Sequence, residues 1–276
     1  MAPASLQVIF LGTTTLYLSD GETHLLTNGF FTRPPLTQML FGRLAPSRER
    51  IGQALQRAGI QQVDALLVGH SHYDHALDCA EVCRQTGAVL AGSVSTLNIG
   101  RGAGLPEERL YLANAGSIFS WGKFRVTFLP WKHSFPRFYP GEIVTPLVPP
   151  VPVSAYREGG TFALFIEHPA GSLLILESAG ILPGALKGIR TRAVLLAVAG
   201  FPRLPAGRER LFREAVLNTG AQRVFPIHHD HFFLPLDNPP VLLPGSRAVM
   251  DWLERRCRQE GIGFEVLPPW ERTALF

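Results

Sequence analysis

A chain of 276 residues has room for one large domain or two small ones, and its 46% hydrophobic against 17% charged residues excludes a disordered polypeptide. The net charge is a modest +4, from 26 basic and 22 acidic residues. The excess arginines are scattered, at Arg43, Arg48 and Arg50, at Arg203, Arg208, Arg210 and Arg213, and at Arg255, Arg256 and Arg258; they read as solvated helix faces, not as a continuous basic track for nucleic acid.

Residues 1–12 carry no basic stretch and only a short apolar run, so they read as a first strand and not as an export signal. No stretch approaches the roughly 18 apolar residues that cross a bilayer, and a cytoplasmic protein is expected. Short β-type runs stand at 6–11, 14–18 and 24–27, with Asp20-Gly21 turning between the last two. After a Pro-containing loop at 30–35, residues 47–59 read as a helix with a Ser47 cap and a Gly59 stop. Residues 65–68 are a continuous apolar run of the kind that forms a strand buried on both faces. A helix over 77–86 carries Cys79 and Cys83 on one face as small buried residues. With Cys257 they make no disulfide framework, which fits a reducing compartment.

Strands follow at 88–91, 109–112 and 121–130, with a helical stretch near Val94. Residues 134–156 hold Pro136, Pro140, Pro146, Pro149, Pro150 and Pro152, which bar a long helix and suggest a lid or binding loop. Further strands are expected at 161–167, 172–176, 193–198 and 223–227, and helices at 208–217 and 247–259. Strands open each half and helices fall between the later ones. The expected architecture is therefore α/β, a four-layer αββα sandwich of two mixed β-sheets with helices on the outer faces. One domain spanning 1–276 is expected, and no sequence repeat marks a duplication.

Three of the nine histidines fall within six residues, in His70-Ser71-His72-Tyr73-Asp74-His75. For a chain of this composition the pattern arises by chance on the order of a few times in ten thousand sequences. It follows the 65–68 strand at its C-terminal end, where ligand sites of layered α/β proteins lie. A tight loop there can turn His70 and His72 toward one ion and Asp74 and His75 toward another. Imidazole and carboxylate donors suit zinc, and also admit manganese, iron, nickel or copper. His133 and His228 each follow a β-type run, so both can project into the same strand-end cleft. Singly, either would more often be a hydrogen-bonded or surface residue.

These residues resemble the metallo-β-lactamase superfamily over nearly the whole chain. The resemblance implies the αββα fold, one ion on His70, His72 and His133, and a second on Asp74, His75 and His228. The segment 227–232, Ile-His-His-Asp-His-Phe, resembles the last ligand motif of the lactonase-like and phospholipase-D-like branches. Two positions depart from the pattern. Asn28 stands where a supporting aspartate is usual, and Ser178 falls where an aspartate usually bridges both ions. Glu177 lies beside Ser178, but neighbouring strand residues point to opposite faces. A weak or missing second ion is therefore expected.

The function implied is metal-dependent hydrolysis, with zinc-bound hydroxide attacking an ester, lactone, amide or phosphodiester. Asp74 would orient water or accept its proton, with His72 among the catalytic donors. The expected partner is a small molecule, apolar or phosphate-bearing. Alternatives are a non-catalytic metal-binding protein and a nuclease. His229 and His231 could orient the neighbouring ligand or contact substrate, or simply pack. His24 and His168 need no function. Phe135, Phe138 and Tyr139 could line an apolar cleft or only pin their loop to the core.

Overall fold

The computed structural model describes residues 5–237 and 239–276; residues 1–4 of the opening segment lie outside them. The first half supplies β1 (Gln7–Phe10), β2 (Leu16–Ser19), β3 (His24–Thr27), β4 (Ala65–Leu67), β5 (Val89–Gly92) and β6 (Leu110–Leu112). β1, β2 and β3 pair antiparallel, and β3 to β6 pair in parallel. The second half repeats this order. β7 (Ile118–Trp121), β8 (Phe124–Pro130), β9 (Phe162–His168) and β10 (Gly171–Leu176) are antiparallel neighbours. β10, β11 (Ala193–Ala197), β12 (Arg223–Ile227) and β13 (Gly263–Phe264) then run parallel. β14 (Arg272–Ala274) returns to β1, so each sheet has seven strands.

Seven α-helices among the described residues complete the fold: α1 (Leu36–Phe41), α2 (Arg48–Arg57), α3 (Tyr73–Ala76), α4 (Cys79–Thr86), α5 (Val94–Gly102), α6 (Pro205–Phe212) and α7 (Ser246–Gln259). Three apolar cores separate four layers. In β4 the two-residue alternation turns Ala65 and Leu67 inward, to meet Phe128, Ile166 and Leu195 of the facing sheet. Leu66 turns outward to the core shared with Ile51 of α2 and Val82 of α4. Outside the second sheet, Leu174 and Leu196 pack with Phe212 of α6 and Leu253 of α7. The αββα sandwich expected from the sequence is the fold observed.

Ser47 caps α2 as expected, its hydroxyl accepting from Arg50 N–H. The run at 121–130 is two strands, because Gly122 adopts φ 52 and turns β7 into β8. Among the elements not anticipated are α1, β13 and β14. α1 buries no residue, β13 has two residues and β14 three, too little for a periodic apolar pattern. Residues 134–156 form the expected irregular segment, with a 3-10 turn at Val153–Ala155.

Candidate metal centre

β4 delivers the chain to the rim of the sandwich, where Gly69 passes so close to Glu177 that a Cβ would lie 2.2 Å from its carboxylate. Glycine alone permits that approach, and Gly69 N–H donates to Glu177 Oε2 at 3.1 Å. The next residues carry the donors. His70 and His72 lie in the loop, and Asp74 and His75 on the short α3. His133 follows β8 and His228 follows β12, and the fold brings both to the same rim. His70, His72 and His133 have ring centroids 4.7 to 5.0 Å apart, and one ring nitrogen from each lies within 4.8 Å of the others. Asp74, His75 and His228 form a second set, with Asp74 Oδ2 3.3 Å from His228 Nε2 and 3.6 Å from His75 Nε2. The two sets adjoin where the His70 and His75 rings lie 3.8 Å apart.

Glu177, not Ser178, enters this cluster. It is buried, its Oε2 lies 3.6 Å from His75 Nδ1, and it forms a further donor set with His70 and His75. Ser178 is otherwise engaged: its hydroxyl accepts from Ser134 N–H at 2.8 Å and its carbonyl from the Trp131 indole at 2.9 Å. This placement makes Glu177, and not the neutral hydroxyl of Ser178, the candidate donor at this position. It also removes the premise that no carboxylate stands beside the second donor set. The strand alternation behind that premise fails because β10 ends at Leu176, and past the last paired residue both side chains line the cleft.

Hydrogen bonds identify which histidine nitrogens are free. His72 Nε2 lies 2.7 Å from Phe138 O, and His133 Nδ1 lies 2.8 Å from Ser134 O. A carbonyl only accepts, so those nitrogens carry the protons, leaving lone pairs on His72 Nδ1 and His133 Nε2. Burial, reinforced by His72, pushes His133 down to about 4. Burial and the neighbouring His75 push His70 down as well. The first set is therefore three neutral imidazoles, the form that binds metal. In the second set burial pushes Asp74 upward, but His75 and His228 outweigh it and hold the carboxyl below the usual range. Burial likewise opposes charge on His75, and Asp74 and Glu177 overcome it.

Both ring nitrogens of His70, Nδ1 of His228 and Oε1 of Glu177 are buried without a hydrogen-bond partner. Leaving such a group unsatisfied costs about 1–3 kcal/mol, and a cation where the donor sets adjoin would take up one His70 nitrogen and draw on the Glu177 carboxylate. The residues present fit a metal.

A buried scaffold holds the second set. His228 adopts φ 56, a left-handed conformation rare outside glycine, and its N–H donates to Thr13 O at 2.5 Å. Asp230 accepts from Thr13 N–H at 2.7 Å and pairs with Arg33 Nη2 at 2.6 Å, both side chains buried. Asn28 donates to Thr14 Oγ1 at 2.8 Å, and that hydroxyl lies 3.0 Å from His75 Nδ1. Thr14 and Arg33 were not anticipated from sequence, since no local motif marks them; Asp230 lies in the 227–232 segment, but its pairing with Arg33 and Thr13 was not anticipated. Of the remaining histidines, His229 stacks on Phe10, His231 packs edge-on to Phe233, His24 meets Ser19 and His168 meets Asp20. Cys79, Cys83 and Cys257 are buried free thiols.

Over the donors lies a cavity of about 370 Å³, walled by Phe135, Pro136, Phe138 and Tyr139 of the proline-rich loop and by Phe232 and Phe233. The family model of the metallo-beta-lactamase superfamily matches residues 43–175. The resemblance to that superfamily is borne out. A UPF0173 metal-dependent hydrolase of Chloroflexus aurantiacus is 27% identical over 75% of this chain and 76% of its own. Another, of Methanopyrus kandleri, is 32% identical over 36% of this chain, and the match spans 42% of that relative's length. The metallo hydrolase Igni18 of Ignicoccus hospitalis shares the fold, at a TM-score of 0.64 and 15% identity over 99% of both chains. The superfamily match contains His70 to His75 and His133 but stops short of Glu177 and His228, so geometry brings those two to the metallo-β-lactamase motif.

Proposed function

We propose that this chain is a metal-dependent hydrolase that works with zinc at one or two adjoining positions. The observation that carries the reading is His70, buried with both ring nitrogens unpartnered where the donor sets adjoin. His70, His72 and His133 would hold one ion. Asp74, His75 and His228 would hold the second, with Glu177 adding negative charge beside His75. When bound, zinc lowers the pKa of water to about 7 and polarises a substrate oxygen; manganese, iron and nickel also suit these donors.

The chain's own groups do the rest. Asp74, kept anionic by His75 and His228, orients the attacking water and accepts its proton. The Phe138 and Ser134 carbonyls fix the rings of His72 and His133. Phe135 and Phe138 restrict bulk water above the donors. The reaction class is hydrolysis of an ester, lactone, amide or phosphodiester, with a small molecule as substrate.

Elemental analysis of the purified chain, with hydrolysis assays before and after chelation, tests this. Expected are bound zinc, activity lost to the chelator and restored by zinc, and a His72→Ala variant reduced by roughly 10³-fold in kcat/KM. A protein that binds no metal, or hydrolysis indifferent to chelation, refutes it. Glu177→Gln should weaken zinc binding by about 10–100-fold, whereas Ser178→Ala should leave the stoichiometry unchanged. The opposite pattern would return the role to Ser178.

A further inference from the structure

We propose that the cleft selects an uncharged ester or lactone bearing an apolar chain or ring, an inference that rests on the hydrolase reading above. The cavity's polar floor is the donor cluster, and its walls are Met39, Phe135, Phe138, Phe232, Phe233 and Leu243. Among the described residues no lysine or arginine lines it. Arg137, the arginine of the adjacent loop, is engaged by Glu158, forking onto it at 2.8 and 3.0 Å. A phosphodiester or other anion is ordinarily held by guanidinium or ammonium groups. Here it would find no guanidinium or ammonium group to share its charge, only His75 and the bound metal, beside the carboxylates of Asp74 and Glu177.

The apolar surface continues outside the cavity. Met39, which lines the cavity, belongs to α1, a helix that buries no residue. Phe135 is 87% exposed and Phe138 63%, although both also line the cavity. Core packing does not account for aromatics standing in water at the mouth of a cleft. An apolar substrate group laid along them does, because covering that area is what the hydrophobic effect favours. The carbonyl then reaches the donors while the chain runs toward Phe135 and Phe138. In hydrolysis the water oxygen bonds to the acyl carbon and the acyl C–O bond breaks. One water proton passes to the departing alkoxide, and the other is released as the carboxylic acid ionises.

Two series on the zinc-loaded chain test the assignment. In the first, calorimetry follows binding of methyl ketones from butanone to decanone, neutral carbonyl compounds that cannot be hydrolysed, with phenyl phosphate as the anionic counterpart. In the second, kcat/KM is measured on p-nitrophenyl esters from acetate to octanoate and on bis(p-nitrophenyl) phosphate. Affinity and kcat/KM should rise roughly two- to fourfold per methylene until the cavity fills. Phe138→Ala and Phe233→Ala should each flatten that slope, and the phosphate should bind weakly. A flat slope in the unmodified protein overturns the assignment, as does a phosphodiester cleaved as fast as the octanoate ester. Ketone binding that climbs with length while no substrate is cleaved would sustain the cleft's selectivity and sink the hydrolase reading instead.

Discussion

The two donor sets differ in what they are made of and in what holds them. His70, His72 and His133 are neutral imidazoles, two of them oriented by carbonyls of the loop that also walls the cleft. Asp74, His75 and His228 include a part-buried anion and rest on Thr13, Thr14 and the buried Asp230–Arg33 pair. The first set is tuned from the substrate side and the second from the core. The largest expected effect comes from His70→Ala, because His70 belongs to the first set and also to the set it forms with His75 and Glu177. It should cost zinc at both positions and lower kcat/KM by roughly 10³-fold or more. His228→Ala should cost zinc at the second position alone. Metal content separates the two, and equal zinc loss in both variants would mean that the sets act as one inseparable unit.

Next in size is Asp230→Ala. It leaves the Arg33 guanidinium buried without its partner, which costs about 3–5 kcal/mol, read by chemical denaturation. The same change frees the 12–15 turn that carries Thr13 and Thr14, so zinc at the second position should weaken while the three-histidine position keeps its own. Loss of zinc from the first position instead would show that the core scaffold supports both.

Most of the site was legible in the sequence because most of it is local or strand-terminal. His70 to His75 fall within one loop and a helical turn, and His133 and His228 each follow an apolar run, a pattern that places side chains at a sheet rim. Glu177 was obscured by a rule applied one residue too far: alternation holds along a paired strand, and β10 stops at Leu176. Arg33 and Thr13, and the role of Asp230 within the 227–232 segment, were invisible for another reason. The Thr13–Asp230 bond spans 217 residues, and only the order of the strands brings its ends together. The matching strand order of the two halves was hidden likewise, since a backbone pattern can persist without any shared side chains.

The smallest effect tests the core side of the comparison through pH. Asp78, at the start of α4, accepts from Phe31 N–H at 2.7 Å and Thr32 N–H at 2.6 Å, tying the segment that leads into Arg33 to the helix behind His75. Burial pushes its carboxyl up to about 6, against those donors and the charge of Arg50. The folded pKa lies above the unfolded one, so the folded state holds the extra proton between about pH 4 and 6. The contribution to stability is therefore full below about 4 and is lost as pH rises through about 6, by up to about 1.4 kcal/mol per pH unit. Asn at this position keeps the carbonyl acceptor and removes the charge. Urea denaturation of zinc-free wild type and Asp78→Asn, compared from pH 4 to 7, isolates this group because histidine titration is common to both. The difference between them should shift toward the variant as pH rises. A constant difference would mean that Asp78 keeps its ordinary ionisation, with these two donors and the Thr32 hydroxyl fully offsetting burial, and the second set would then rest on a scaffold indifferent to pH in this range.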